Sequence, residues 1–318
     1  MAIYRLDIQP VTRSAGRTAT AAAAYRAGER IRDERTRRWF DHSSRRDVTH
    51  AEIILPSEFA TADIGWARDR TRLWNAAEHA ERRRDSRVAR EYQVALPHEL
   101  NAAARIDLAR TFSRLVADRY QVAVDLAIHE PRPGGDPRNF HAHLLTTTRA
   151  LTLAGLGAKT GLDMASAVRR VHGLPGGIRE MRAIRAQWAT LANEALSAAD
   201  LSARVDHRPL EAQGLDRKPR AHLPWAAYRA ERQGLHSDIA ERVREGYRLK
   251  VQARRLRYAA AHMQTGAAHA DLEEIRRLAR EDWLRFRDSP LATRRSETRK
   301  REIVAENARG NPDHDHSL

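Results

Sequence analysis

Apolar and polar positions alternate over residues 3–11, IYRLDIQPV, as in a strand whose two faces meet different surroundings. The alternation is lost over residues 18–34, TATAAAAYRAGERIRDE. There the alanine run and the charged end predict a helix of about 13 residues. RRWFDHSSRRD, 37–47, reads as a polar loop, and VTHAEIILP, 48–56, as a second strand closed by Pro56. Over residues 62–84, Ile64, Ala67, Leu73, Trp74 and Ala77 fall on one helical stripe. RVAREYQVALP, 87–97, is a third strand, and residues 101–120 form a helix with Asn101 as its N-cap. QVAVDLAIHEP and FHAHLLTTTR are two further strands, separated by the turn-rich PRPGGDPRN. Residues 178–201 make a long amphipathic helix. Beyond about residue 216 the chain shows charged helical stretches and no clear strand, and its last residues, ARGNPDHDHSL, read as a frayed end. About five strands interleaved with helices, with at least one hairpin, predict an α+β domain with an antiparallel or mixed sheet. A helical C-terminal extension follows it.

The hairpin is where this pattern acquires chemistry. Side chains alternate along a strand, so His141 and His143 share a face, about 7 Å apart at Cα. If the strand ending in His129 pairs with them around residues 131–139, Glu130 faces Phe140, His129 faces His141 and Ala127 faces His143. The apolar pattern supports that register. Val122, Val124, Leu126 and Ile128 then share a face with Phe140, Ala142 and Leu144, while all three histidines fall on the other beside small Ala127. A slip of one residue would put His129 on the wrong side. Three neutral imidazoles suit a divalent metal with positions left open for substrate; the alternative is a solvated polar sheet face. His-x-His alone is weak evidence, as the second example at 314–316 in the charged end shows. In VAREYQVAL, Val88, Arg90, Tyr92, Val94 and Leu96 share one face, and Ala89, Glu91, Gln93 and Ala95 the other. Glu91 then has three readings: orienting a ligand histidine, accepting a proton, or lying on the surface. Tyr25 sits among alanines and reads locally as core filling.

Composition narrows the setting. The absence of cysteine excludes disulfides and thiolate metal sites. No basic, then apolar leader opens the chain, and no apolar run approaches the ~18 residues of a membrane span. A soluble, cytoplasmic protein is expected. The formal charge is +15, from 57 basic and 42 acidic residues. That excess suits a polyanion such as nucleic acid. Coding bias also accounts for it, since only Lys159, Lys218, Lys250 and Lys300 are lysines and alanine is abundant. The excess is spread along the chain rather than gathered in one patch. Arg37, Arg38 and Trp39, and separately Arg82, Arg83, Arg84 and Arg87, combine cations or an aromatic ring as single-strand DNA sites do. Each cluster has a plain alternative as a solvated charged face.

The opening MAIYRLDIQPVTRSAGRTATAAAAYRAGERI, the AREYQVALP strand, the LAIHE and NFHAHLLTTTR pair, and the later DHRPLEAQGLDRKPRAHLP together resemble the MobA/MobL-type mobilisation relaxases, DNA nickases of the HUH endonuclease superfamily. The likeness covers about residues 1–235. It implies a five-stranded antiparallel sheet flanked by helices, with a charged helical tail over 236–318. It also implies Tyr25 as nucleophile, with His129, His141 and His143 holding Mg²⁺ or Mn²⁺. Glu91 becomes the acid behind them or a proton acceptor. Gln93 stands where some relatives carry a second acid, a departure from the two-carboxylate version. His207 and Arg208 fall in a shared block and either face DNA or fix the fold. Helicase or primase fusions, found in some members, are not expected in 318 residues.

The implied reaction is strand-specific nicking and rejoining at a transfer origin through a 5′-phosphotyrosyl intermediate. A phenol is a weak nucleophile until ionised, so a metal or base must favour the phenolate. Single-stranded and supercoiled origin DNA are the implied partners, with accessory mobilisation proteins and a secretion-channel coupling protein beside them. The resemblance allows the protein to travel with its DNA. A rolling-circle replication initiator, a non-catalytic origin-binding or repressor protein and a water-using metal hydrolase are the competing readings.

Overall fold

The computed structural model describes residues 3–215 and 223–262, together with 277 and 281. The chain divides into two compact units, Met1–Pro209 and Leu210–Leu318. In the first unit β1 (Leu6–Thr12) leads to α1 (Ala19–Ala27), then β2 (Arg30–Arg32), β3 (Trp39–Asp41) and β4 (Val48–Ile54). Next come α2 (Gly65–Arg68), α3 (Arg70–His79), β5 (Arg87–Ala95), α4 (Ala102–Tyr120), β6 (Val124–His129) and β7 (His141–Thr146). β8 (Arg149–Thr152), β9 (Gly155–Lys159), α5 (Ser166–Val171) and α6 (Gly177–Ala198) complete it. The second unit contains α7 (Trp225–Arg232) and α8 (Asp238–His262), joined by an Arg244–Glu231 ion pair. Among the described residues no helix is long and apolar enough to cross a membrane.

Five strands form one antiparallel sheet in the order β1-β5-β7-β6-β4. Its two faces are built differently. One carries Tyr92, Val94, Val124, Leu126, Ile128, Ala142 and Leu144 against Phe112 and Val116 of α4 and Ile184 and Trp188 of α6. Phe112 and Trp188 meet with ring centroids 5.0 Å apart. The other face packs Ala123 and Leu145 against the alanines of α1 and Leu73 and Trp74 of α3. Asp125, on this face, is buried and accepts hydrogen bonds from Trp74 Nε1 at 2.8 Å and from Arg70. One end of β6 and β7 is therefore sealed by α3. At the other end, the same face carries the histidines.

The β6–β7 register is the expected one. His129 pairs with His141, Ala127 with His143, Ile128 with Ala142 and Leu126 with Leu144. Asn101 caps α4 as expected, accepting from Ala104 N at 2.8 Å. Four local expectations change. The first helix is 9 residues long, not 13, because Gly28 takes a left-handed conformation (φ 65°) and its N–H bonds the Ala24 carbonyl. The chain beyond it becomes a ribbon, with β2 paired to β3, so part of the expected polar loop is strand. The helix expected over 62–84 breaks at Asp69, whose backbone is extended and whose carboxylate accepts from Arg72 N. Val88 joins the α1–α3 cluster rather than the Tyr92 face, near where the β1–β5 pairing slips at Val11/Thr12. The β8–β9 hairpin was not foreseen.

Gly28 fixes where α1 stops and so where Tyr25, in its last turn, is held. A Cβ there would lie 3.2 Å from Val48 Cγ2, in a backbone conformation that side chains disfavour. Gly28→Ala should lower stability by about 1–2 kcal/mol. In urea unfolding, the midpoint should fall with the slope unchanged; a midpoint at or above the parent's would refute this account of the turn.

Candidate active site

His129, His141 and His143 each offer a ring nitrogen, and these atoms all lie within 4.8 Å of one another. Ring centroids are 5.3 Å (His129–His141), 4.6 Å (His129–His143) and 5.1 Å (His141–His143) apart. His129 and His143 are buried and His141 half-buried. Partners fix the rings. His143 Nδ1 meets Glu91 Oε1 at 2.6 Å, and His141 Nδ1 meets the Asn139 carbonyl at 2.9 Å. Each therefore donates from Nδ1 and turns Nε2 into an electron-pair donor. His129 differs. Its Nε2 meets the Arg26 carbonyl at 2.7 Å and its Nδ1 lies 3.4 Å from Arg45 Nη2, so an ion bound there must replace one of these contacts.

Burial, reinforced by the neighbouring His143, pushes His129 down to about 3 and His141 down to about 4. His143 is lowered too, again chiefly by burial, although Glu91 opposes this. The imidazoles are thus neutral at pH 7, the form that binds metal. Burial alone would raise Glu91. The Arg26 charge and the His143 hydrogen bond overcome it and hold the carboxyl well below the usual range. Arg26 grips both Glu91 oxygens at 2.6 Å, through Nε and Nη2. The donor set of three neutral nitrogens, with a carboxylate orienting one of them, fits a divalent cation.

Tyr25 is half-buried beside this cluster through its neighbours. Arg26, the next residue, touches both His129 and Glu91. Arg45, from the segment between β3 and β4, donates to the Tyr25 carbonyl at 2.6 Å and lies 4.1 Å over the Tyr25 ring. It is braced by Asp47, at 2.8 and 2.5 Å, and this bond holds Asp47 down to about 2. His42 meets the ring edge-on, with centroids 5.2 Å apart. Arg132 donates to the Tyr25 hydroxyl at 2.8 Å. None of Arg26, His42, Arg45, Asp47 and Arg132 was singled out from the sequence. Arg26 and Arg132 carried a signal, one adjoining Tyr25 and the other in the turn between the histidines. The polar run around Arg45 carried none.

The candidate DNA residues are dispersed. Arg37 (φ 60°), Arg38 and Trp39 lie on the β2–β3 ribbon that leaves α1 directly after Tyr25's turn. Trp39 is 46% exposed, with Arg30 stacked 4.3 Å over its ring. Arg82, Arg83, Arg84 and Arg87 are exposed, and Arg83 pairs with Asp85 at 2.9 Å. Arg87 opens β5, whereas Ala95 at its far end pairs with His141. Gln93 pairs with His143, so Arg87 lies about 20 Å of strand from the nearer histidine and about 25 Å from His141. His207 and Arg208 follow Asp206, with Arg208 paired to it at 2.7 Å. They follow Val205, which Asn193 of α6 pins by two hydrogen bonds, on the sheet face away from the histidines. The second His-x-His, at 314–316, lies outside the described residues.

A model of the MobA/MobL family matches residues 17–233. The chain belongs to the MobA/MobL family. It is 37% identical over 254 residues to "Mobilization protein MobL" of Acidithiobacillus ferridurans, covering 73% of this chain and 64% of that protein. It is 32% identical over 255 residues to "Probable conjugal transfer protein TraA" of Sinorhizobium fredii, covering 76% of this chain and 23% of that protein. The chain thus spans less than two thirds of either relative. A solved structure described as "Molecular Basis of Vancomycin Resistance Transfer in Staphylococcus aureus" matches with a TM-score of 0.54 at 28% identity, over 65% of this chain and 100% of that one.

The lowered histidines give the fold a defined acid response. Above about pH 6.5 they are neutral in both folded and unfolded chains. Below it the unfolded chain takes up protons that the folded site refuses, so stability falls with pH until the folded values, about 4 for His141 and 3 for His129, are passed. Urea midpoints in EDTA should drop between pH 6.5 and 4. His129→Gln should flatten that slope while leaving the loss that Asp47 adds as pH falls from about 4 to about 2. An equal slope in the variant would contradict the assignment.

Proposed function

We propose that this family member is a DNA relaxase that nicks one strand at a transfer origin and later rejoins it. The observation that carries the reading is the convergence of three neutral imidazoles with a tyrosine whose neighbouring residue, Arg26, contacts both His129 and the Glu91 behind His143. His129, His141 and His143 would hold Mg²⁺ or Mn²⁺, which when bound would supply positive charge to the scissile phosphate. Tyr25 attacks phosphorus in line and displaces the 3′ oxygen. The phenol loses a proton and the 3′ oxygen gains one. The products are a 5′-phosphotyrosyl enzyme and a free 3′-OH. The covalent bond keeps the ester energy, so the same site rejoins ends after transfer. Glu91 fixes the His143 tautomer and is itself fixed by Arg26.

Origin DNA, single-stranded and in supercoiled plasmid, is the substrate under this reading. Arg37, Arg38 and Trp39 would hold the strand near the nucleophile. Arg82, Arg83, Arg84, Arg87, His207 and Arg208 would engage DNA farther away. Residues 1–235 would act as the nicking domain and 236–318 as a tail for DNA, accessory mobilisation proteins or a coupling protein. Action in the cytoplasm, followed by transfer with the DNA, completes the proposal.

The test is a denaturing gel of the protein with DNA flanking its own gene, with Mn²⁺ or EDTA. A metal-dependent protein–DNA band that disappears in Tyr25→Phe is expected. Glu91→Gln should weaken metal affinity or activity about 10–100-fold. Cleavage persisting in Tyr25→Phe without an adduct would mean a water-using nuclease. Tight binding without cleavage would mean a binding module, and nicking confined to a replication origin would mean a rolling-circle initiator.

A further inference from the structure

Arg132 lies between Pro131 and Pro133 in the turn from β6 to β7. The two prolines restrict its backbone: Pro131 fixes the preceding φ, and Pro133 disfavours a helical conformation at Arg132 itself. Gly135 N–H closes the turn on the Arg132 carbonyl at 2.9 Å, with Gly134 left-handed at φ 76°. A braced turn therefore presents this exposed side chain. One Nη donates to the Tyr25 hydroxyl at 2.8 Å. Arg45 covers the Tyr25 ring face and also interacts with the phenol, His42 meets the ring edge, and the hydroxyl accepts its 2.8 Å hydrogen bond from Arg132.

We infer that Arg132 is a catalytic residue acting on the Tyr25 oxygen, an inference that rests on Tyr25 being the nucleophile. In nicking, Arg132 donates to the Tyr25 oxygen while it carries the negative charge left by its proton; that charge leaves the oxygen as the Tyr25 Oη–P bond forms, and the 3′ oxygen takes up a proton as the P–O3′ bond breaks. In rejoining, the 3′-OH attacks, the O–P bond to Tyr25 breaks, and Arg132 holds the departing phenolate. The arginine keeps its own proton throughout and acts only as a donor. Its five N–H groups allow it to hold the tyrosine oxygen and, in the transition state, a phosphoryl oxygen at once. Its exposure separates this role from a core-holding one.

The experiment uses the full chain and a labelled single strand carrying its nick site, at saturating DNA and Mn²⁺, in single turnover. Arg132→Ala should slow adduct formation about 100-fold or more, the usual loss for one oxyanion donor. DNA affinity, measured in a Tyr25→Phe background, and Mn²⁺ affinity should both stay within about threefold of the parent, since a transition-state contact lowers the rate at saturation and not binding. Added guanidinium should restore part of the Arg132→Ala rate, and rejoining should be slowed with nicking. The inference is overturned if the variant nicks at the parent rate, if its loss is only weaker DNA binding, or if guanidinium restores nothing. Failure of the parent itself to form an adduct would instead overturn the nucleophile reading, and this one with it.

Discussion

Everything at this site depends on the pairing of β6 with β7. Strand side chains alternate with period two, so one register decides which residues meet the core and which face the site. Here the register that buries Leu126, Ile128, Ala142 and Leu144 against α4 and α6 also places His129 opposite His141 and Ala127 opposite His143. The stability of the core and the assembly of the cluster are one constraint. The hydrophobic effect acting on one face thus decides which imidazoles meet on the other. Small Ala127 leaves room beside His143 where a larger side chain would crowd the rings.

The second constraint is electrostatic. Three imidazoles buried together are tolerated because burial keeps them neutral, reinforced at His129 and His141 by the neighbouring His143. Glu91 supplies a negative charge behind His143, and Arg26 compensates it on both oxygens. The pair costs less than either charge alone would in the same position. Arg26 also delivers its carbonyl to His129, so the end of α1 is coupled to the cluster twice. Arg45 adds a third link, from the Tyr25 carbonyl to the edge of His129, braced by Asp47. Asp47 in turn receives the Glu130 N–H on its own carbonyl at 2.8 Å, which ties this brace to the end of β6. The nucleophile candidate and the histidines are therefore held in one hydrogen-bonded frame.

Sequence periodicity revealed the parts of this arrangement that follow from it. The sheet, the hairpin register, the shared face of the histidines and the α4 cap were all readable because strands and helices impose fixed spacings. The end of α1 was not, because the helical pattern continues past residue 27 and only the left-handed Gly28 stops it. The frame around Tyr25 was hidden for a different reason. Arg45 reaches it across 20 residues of chain and Arg132 across 107, and no local pattern encodes such approaches. Tyr25 itself looked like packing, and only resemblance singled it out. The basic runs looked equivalent in sequence, yet the β2–β3 ribbon leaves from Tyr25's helix while Arg82–Arg87 lies at the far end of β5.

A core register that builds a metal centre must bring these three histidines onto one ion. Anomalous diffraction from crystals of the protein grown with Mn²⁺ would show whether they do. One strong peak is expected within coordinating distance of nitrogens from His129, His141 and His143, with His129 having given up one of its two present contacts. A manganese bound elsewhere, or none at the cluster at saturating concentration, would contradict it.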